Sequence, residues 1–190
     1  LESHRKAIVA QDARRFDDEI TPLGPLQADE CPRRDTSPEA LASLKPVFHA
    51  RGTVTAGNSS PNSDGAAAVL VMARERAEAL GFRPRLRFLG FAASGVAPEI
   101  MGIGPVEAVP RLLDRFGLRL DDIDVFEVNE AFAAQALAVC RELALPMDRT
   151  NPNGSGISLG HPIGATGTIL VVKALYELAR TGGKRALVTM

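Results

Sequence analysis

The chain has 190 residues, 22 basic and 23 acidic side chains, a formal net charge of -1, 45% apolar and 24% charged residues. These are globular proportions and argue against a disordered chain. The balanced charge argues against a nucleic-acid binder, whose footprint is basic, and with no Trp and one Tyr there is no platform for stacking single-stranded bases. A bilayer span needs roughly 20 consecutive apolar residues, and no run approaches that. Two cysteines, Cys31 and Cys140, make no disulfide framework, so a reducing compartment is the default.

In chain order, residues 3–16 read as a helix, with Ala7, Ile8, Ala10 and Ala13 set among charges. Residues 21–38 hold five prolines and glycines and read as a long irregular loop. A short helix is expected at 38–45, with proline in its first turn. Residues 51–63, RGTVTAGNSSPNS, are a polar, turn-rich loop. Ala66–Met72 reads as a buried strand, and Arg74–Leu80 as a charged helix stopped by Gly81. Residues 85–93 read as a strand. Pro105–Phe116 reads as a helix strained by Pro110 and ended by Gly117. A strand at Ile123–Val128, nearly uncharged helices at 131–143 and 164–179, and a strand at Arg185–Met190 complete the pattern. Strands alternating with helices predict an α/β layered fold. The pattern opens inside a helix, with no signal-peptide form, and stops inside a strand, so the chain is expected to be part of a longer protein.

The densest chemical signal is Asn151–Val172, 22 uncharged residues with five glycines and one histidine, His161. Glycine lets backbone approach a ligand closely, and the run leads into a helix N-terminus with free N–H groups. His161 is thus a candidate acid, base or oxyanion donor. The plainer alternative is a tight loop whose histidine satisfies a carbonyl. No GK[ST] follows, so this is not a P-loop. The dinucleotide fingerprint fails as well, because Leu159 stands where the third glycine belongs. A second stretch, NEAFAAQ at 129–135, follows a strand: Asn129 is expected at the helix N-cap and Glu130 in the first turn. Strand C-terminal ends are where α/β sheets build sites, although a plain capping role is the alternative. A third stretch, GNSSPNSDG at 57–65, offers small polar side chains or a plain surface turn. Cys31 beside Arg33 and Arg34 is expected to have a lowered pKa, and Cys140 to be an inert core thiol.

NEAFAAQ at 129–135 followed by NPNGSGISLGHPIGATG at 151–167 resembles the thiolases, and so do RFDDEI at 15–20, GTVTAGNSS at 52–60, SDGAAAVLVM at 63–72 and MGIGPV at 101–106. The resemblance runs along essentially the whole chain, and the NEAF plus GHPxGxTG pair is highly specific. It implies a layered αβαβα thiolase-like fold, of which this chain is roughly the second half. It implies an acyltransferase of coenzyme A thioesters, condensing acetyl-CoA or cleaving 3-ketoacyl-CoA through a cysteine acyl-enzyme. His161 matches the histidine that activates the cysteine, and Asn129 the asparagine that holds a water in the same oxyanion hole. Ser60 matches a serine on the pantetheine arm, Arg33 a basic residue near the adenine nucleotide, and Met101 and Phe132 residues lining the acyl and pantetheine channel. Pro61 replaces a frequent glycine, and no serine stands at Ala40, where some relatives contact CoA.

The same resemblance implies that both reactive cysteines lie outside this sequence, so the 190 residues alone are expected to be inactive. Residues 1–62 would end a CoA-covering loop domain, 63–83 return to the N-terminal domain, and 84–190 form most of the C-terminal domain. Coenzyme A enters as substrate, with no cofactor and no metal. The expected partners are CoA, acyl-CoA and further copies of the chain as homodimer or homotetramer. The expected setting is a bacterial-type cytoplasm, with mitochondrion and peroxisome as alternatives. The rival readings are a ketoacyl synthase, which usually carries His where Asn129 stands, a non-catalytic thiolase-like CoA-binding protein or an inactive fragment, and a nucleotide-binding module.

Overall fold

The computed structural model describes residues 1–190. Its centre is a parallel pair of short strands, β1 (Val125–Val128) and β2 (Ala186–Thr189), in the register Val125↔Ala186 to Val128↔Thr189. All four β1 residues are buried, as a continuous run covered on both faces should be. A third segment touches β1 through one isolated parallel bridge, Phe126↔Thr150.

Side chains alternate along β1. Phe126 and Val128 enter a core built with Val109, Leu113, Val139, Cys140, Leu143 and Leu187. Val109 and Leu113 come from α4 (Gly104–Phe116), Val139 and Cys140 from α5 (Ala133–Glu142), Leu143 from its C-cap and Leu187 from β2. α4 forms here because Pro105 suits a first turn, Val109 and Leu113 recur on one face, and Gly117 ends the helix at φ +61°. Full burial of a Val or Leu side chain contributes about 1.5–3 kcal/mol, so these contacts hold α4 to the sheet. The opposite face of the sheet is covered by α7 (Thr166–Thr181), which packs on both strands and buries Leu170, Lys173, Ala174, Glu177 and Leu178. α1 (Glu2–Asp12) packs on the four-residue helix α6 (Gly156–Leu159). The short helices α2 (Pro38–Ala42) and α3 (Arg74–Ala79) lie in the outer loops. No helix is long and apolar enough to cross a membrane.

Several elements differ from the sequence reading. Residues 66–72 and 85–93 form no strand. A strand exists only by pairing, and these segments find no partner within the chain; Leu70, Val71, Phe88 and Phe91 are 70–80% exposed. The first helix stops at Asp12 rather than residue 16. Arg14 turns at φ 56°, which lets Phe16 reach the interior at 4% exposure. α4 runs through Pro110 unbroken, with that proline on its exposed side. The glycine-rich run does not lead straight into the long helix: α6 intervenes, and α7 begins at Thr166, not Gly164.

Candidate active site

Asn129 is the residue after β1. Its backbone N–H donates to Thr189 O at 2.9 Å, so the β2 ladder carries on one step and fixes its position. It is not a helix cap: α5 begins at Ala133, its N-cap is Phe132, and no side chain caps it. The reason is local. Residues 131–132 are held against the 57–60 loop with Phe132 extended, Ser60 N–H donating to Ala131 O and Ala133 N–H to Asn58 O, each at 2.9 Å, so the helix starts late. Asn129 is 4% exposed, and its Oδ1 is buried with no hydrogen-bond partner.

His161 follows Gly160, which sits at φ +95°, a conformation only glycine adopts freely. The segment closes on itself through Ala165 and Thr166 N–H groups donating to Pro162 O at 2.8 and 2.9 Å. This turn brings His161 Nε2 to 3.3 Å from Asn129 Nδ2 and His161 Nδ1 to 2.7 Å from Thr166 Oγ1. The Thr166 hydroxyl donates its single proton to Pro162 O at 2.9 Å. It therefore accepts from Nδ1–H, and the Nε2 lone pair is left facing the Asn129 amide. Partial burial lowers the His161 pKa below its usual value, which favours this neutral form.

The chemistry follows from that tautomer. At rest Asn129 Nδ2–H donates to a bare Nε2. If Nε2 takes a proton, both groups become donors, and they can then share an outside acceptor. The pair is a base that becomes a two-donor cradle for developing negative charge.

Of the other residues singled out from sequence, Ser60 and Phe132 come to the same place. The bridge Ser59↔Phe132 lays the AGNSS loop alongside NEAF, and the Phe132 ring packs edge-on against Phe48 at 6.1 Å. Met101, 77% exposed, lies in a 3₁₀ segment, Pro98–Ile103, tied to α5 by Gln135 Nε2 donating to Gly102 O at 2.9 Å. Arg33 is exposed in the 21–36 loop, its backbone N–H bonded to His4 Nδ1 at 3.1 Å, and it shares no hydrogen bond with the Asn129–His161 pair. Cys31 is corrected: its thiol pKa is raised, not lowered, because burial and the nearby Asp29 outweigh Arg33. Cys140 is buried on α5 and its thiol is pushed up by burial.

One residue that the sequence reading named is placed differently, and one escaped it. Glu130 is not in the first helical turn; it accepts hydrogen bonds from three other parts of the chain. Thr166 holds the histidine, and its spacing of five from His161 was the available signal. No group of side chains is arranged to hold a metal ion.

A family model of the thiolase N-terminal domain matches residues 1–75, and one of the thiolase C-terminal domain matches residues 82–190. The chain is 46% identical over 207 aligned residues to the 3-ketoacyl-CoA thiolase of Bacillus subtilis, covering all of this chain and 53% of that protein. It is 50% identical over 199 residues to the beta-ketothiolase BktB of Cupriavidus necator, covering 100% and 50%. Among solved structures it superposes on the Bacillus anthracis acetyl-CoA acetyltransferase with a TM-score of 0.93 at 43% identity, covering 98% of this chain and 49% of that one. It also superposes on human mitochondrial 3-ketoacyl-CoA thiolase in complex with CoA, with a TM-score of 0.92 at 43% identity, covering 98% and 48%. The fold is that of the α/β thiolases. The chain belongs to the thiolase family, and it spans about half the length of the relatives it matches.

Proposed function

We propose that this chain supplies the oxyanion half of a thiolase active site, in a protein that transfers acyl groups between coenzyme A thioesters by Claisen condensation or thiolysis. The observation that carries the reading is the Asn129–His161 pair, with Nε2 unprotonated and aimed at a buried amide. In the reaction His161 Nε2 takes the proton of a cysteine thiol, and the thiolate sulfur attacks a carbonyl carbon: that of the acetyl-CoA thioester in condensation, where CoA leaves, or the 3-keto carbon in thiolysis, where the acetyl-CoA carbanion leaves. The carbonyl oxygen gains the electron pair and is met by Nε2–H and by the Asn129 amide or a water on it. Collapse breaks the bond to the leaving group, which takes up the proton, and leaves the acyl group on the cysteine.

Cys140 lies in the core under β1 and Cys31 in the 21–36 loop, and neither thiol shares a hydrogen bond with His161. The resemblance to the thiolases puts the nucleophilic thiol outside these 190 residues. The AGNSS loop beside NEAF supports Ser60 and Phe132 as contacts of the pantetheine arm, with Met101 further along the same channel and Arg33 toward the nucleotide. CoA serves as substrate and product.

The test is His161→Ala in the full-length protein. Thiolysis is expected to fall by about 10²–10⁴, the range of a general base, with folding retained by circular dichroism. Near-normal turnover overturns the reading. Asn129→Ala is expected to lower kcat with little change in KM for CoA; a pure KM defect contradicts an oxyanion role.

A further inference from the structure

We infer that Glu130 is the positioning residue that sets the Asn129–His161 separation. Its carboxylate joins three strangers. Oε2 accepts from Ser3 Oγ of α1 at 2.5 Å and from the Ile157 N–H in the first turn of α6 at 3.3 Å; Oε1 accepts from Asn151 Nδ2 at 3.1 Å. Each donor is itself anchored. Asn151 grips the end of β1 at two points, its Oδ1 accepting from Val128 N–H at 2.7 Å and its Nδ2 donating to Val128 O at 2.8 Å. Ser3 Oγ also lies 2.8 Å from Ser158 Oγ, on α6.

Glu130 thus clamps two segments together. One is the turn that bears Asn129, its own chain neighbour. The other is α6, which ends one residue before Gly160 and so delivers His161. The segments touch with no spare room: a Cβ on Gly156 would lie 2.8 Å from Glu130 O and 2.9 Å from Asn129 Oδ1. Van der Waals contact prevents closer approach, and the carboxylate hydrogen bonds prevent separation. A charged acceptor suits this task because hydrogen bonds to an ionised oxygen are about twice as strong as neutral ones. Burial lowers the His161 pKa, so water admitted to the pair on loss of the clamp raises it.

The inference rests on the thiolase reading only for what the pair does, not for how it is held. The experiment is histidine-selective 15N NMR titration of His161 in the full-length protein and in Glu130→Ala, Glu130→Gln and Glu130→Asp. Loss of the clamp opens the pair to water, so Ala is expected to raise the His161 pKa toward 6.5. Gln keeps acceptors for Ser3 and Ile157 but turns an amide donor toward Asn151, so it is expected to fall between wild type and Ala. If Ala does not fold, Asp, one methylene too short for Ile157, is expected to shift further than Gln. In thiolysis the order is the same: kcat falls about tenfold in Ala, with KM within about twofold and recovery toward wild type in Gln. An unchanged His161 titration in every folded variant, or Gln shifted as far as Ala or Asp, overturns the clamp. Failure of the thiolase reading looks different: His161→Ala leaves thiolysis untouched while the titration order among the Glu130 variants stands.

Discussion

His161 is a usable base because of a single neighbour. Thr166 spends its proton on Pro162 O, so it can only accept from Nδ1, and the lone pair is forced to the Nε2 side. Thr166→Val keeps the shape and removes the acceptor. The stranded Nδ1–H costs about 1–3 kcal/mol, and the 15N shifts of the imidazole are expected to show a mixture of tautomers, with thiolysis in the full-length protein down about tenfold. The pH dependence has a definite sign. His161 is held below 6.5, so it is neutral and competent above its depressed pKa and is lost as pH falls through it. The acid limb of kcat/KM for full-length enzyme is therefore expected below 6.5, and in Thr166→Val, where the neutral tautomer is no longer fixed, the plateau above it is lower. The histidine itself was legible in sequence as a lone titratable group among glycines. Its partner was not, because a threonine five residues on is one hydroxyl among many until the Pro162 turn folds it back.

At the level of elements, β1 does two jobs on its two faces. Phe126 and Val128 pack the core, while Glu127, fully buried on the α7 side, has both carboxylate oxygens without a hydrogen bond. Burial pushes its pKa up to about 8 against the pull of Lys173, buried on α7 with its Nζ also unbonded, and Glu19, Glu177 and Glu130 push the same way. The folded state then holds a proton that the unfolded chain releases near 4.5. Stability is accordingly full below that value and declines as pH rises toward 8. Glu127→Gln removes this term, so its melting temperature is expected to fall less than wild type between pH 5 and pH 8 in calorimetry. Gly156→Ala is the complementary test. Its Cβ would press on Glu130 O and Asn129 Oδ1, an overpacking cost of about 1–3 kcal/mol, with kcat falling more than KM rises. Helix α4 was readable because Pro105 and Gly117 mark its ends chemically. The α5 start was misplaced because a cap rule knows nothing of the 57–60 loop that holds residues 131–132 out of the helix.

At the scale of the molecule, the apolar residues of 66–72 and 85–93 have no sheet to join: Leu70, Val71, Phe88 and Phe91 stand 70–80% exposed, and Ile163 is 82% exposed. Exposed apolar surface of this kind drives association. The 190-residue chain on its own is expected to self-associate in sedimentation velocity, and Phe88→Ser with Phe91→Ser to shift it toward monomer without lowering the helix signal. A monomeric wild-type chain would show that these segments are covered in another way.

The sequence by itself determined the layered α/β class and the main helices, and it singled out Asn129 and His161, whose side chains the fold brings to 3.3 Å. Those features are local: periodicity, capping chemistry and a dense run of small residues are written in neighbouring positions. Only the tertiary structure decided that Glu130 is a clamp rather than a first-turn charge, that Thr166 sets the tautomer, that the Cys31 thiol is raised by its surroundings, and that two apolar runs form no strand. Each of these depends on what the fold brings together: Ser3 at Glu130 across 127 positions, burial of Cys31 beside Asp29, and a ladder partner that residues 66–72 and 85–93 do not find. Hydrogen bonds, burial and strand pairing are properties of pairs, and a chain read one residue at a time supplies only one member of each.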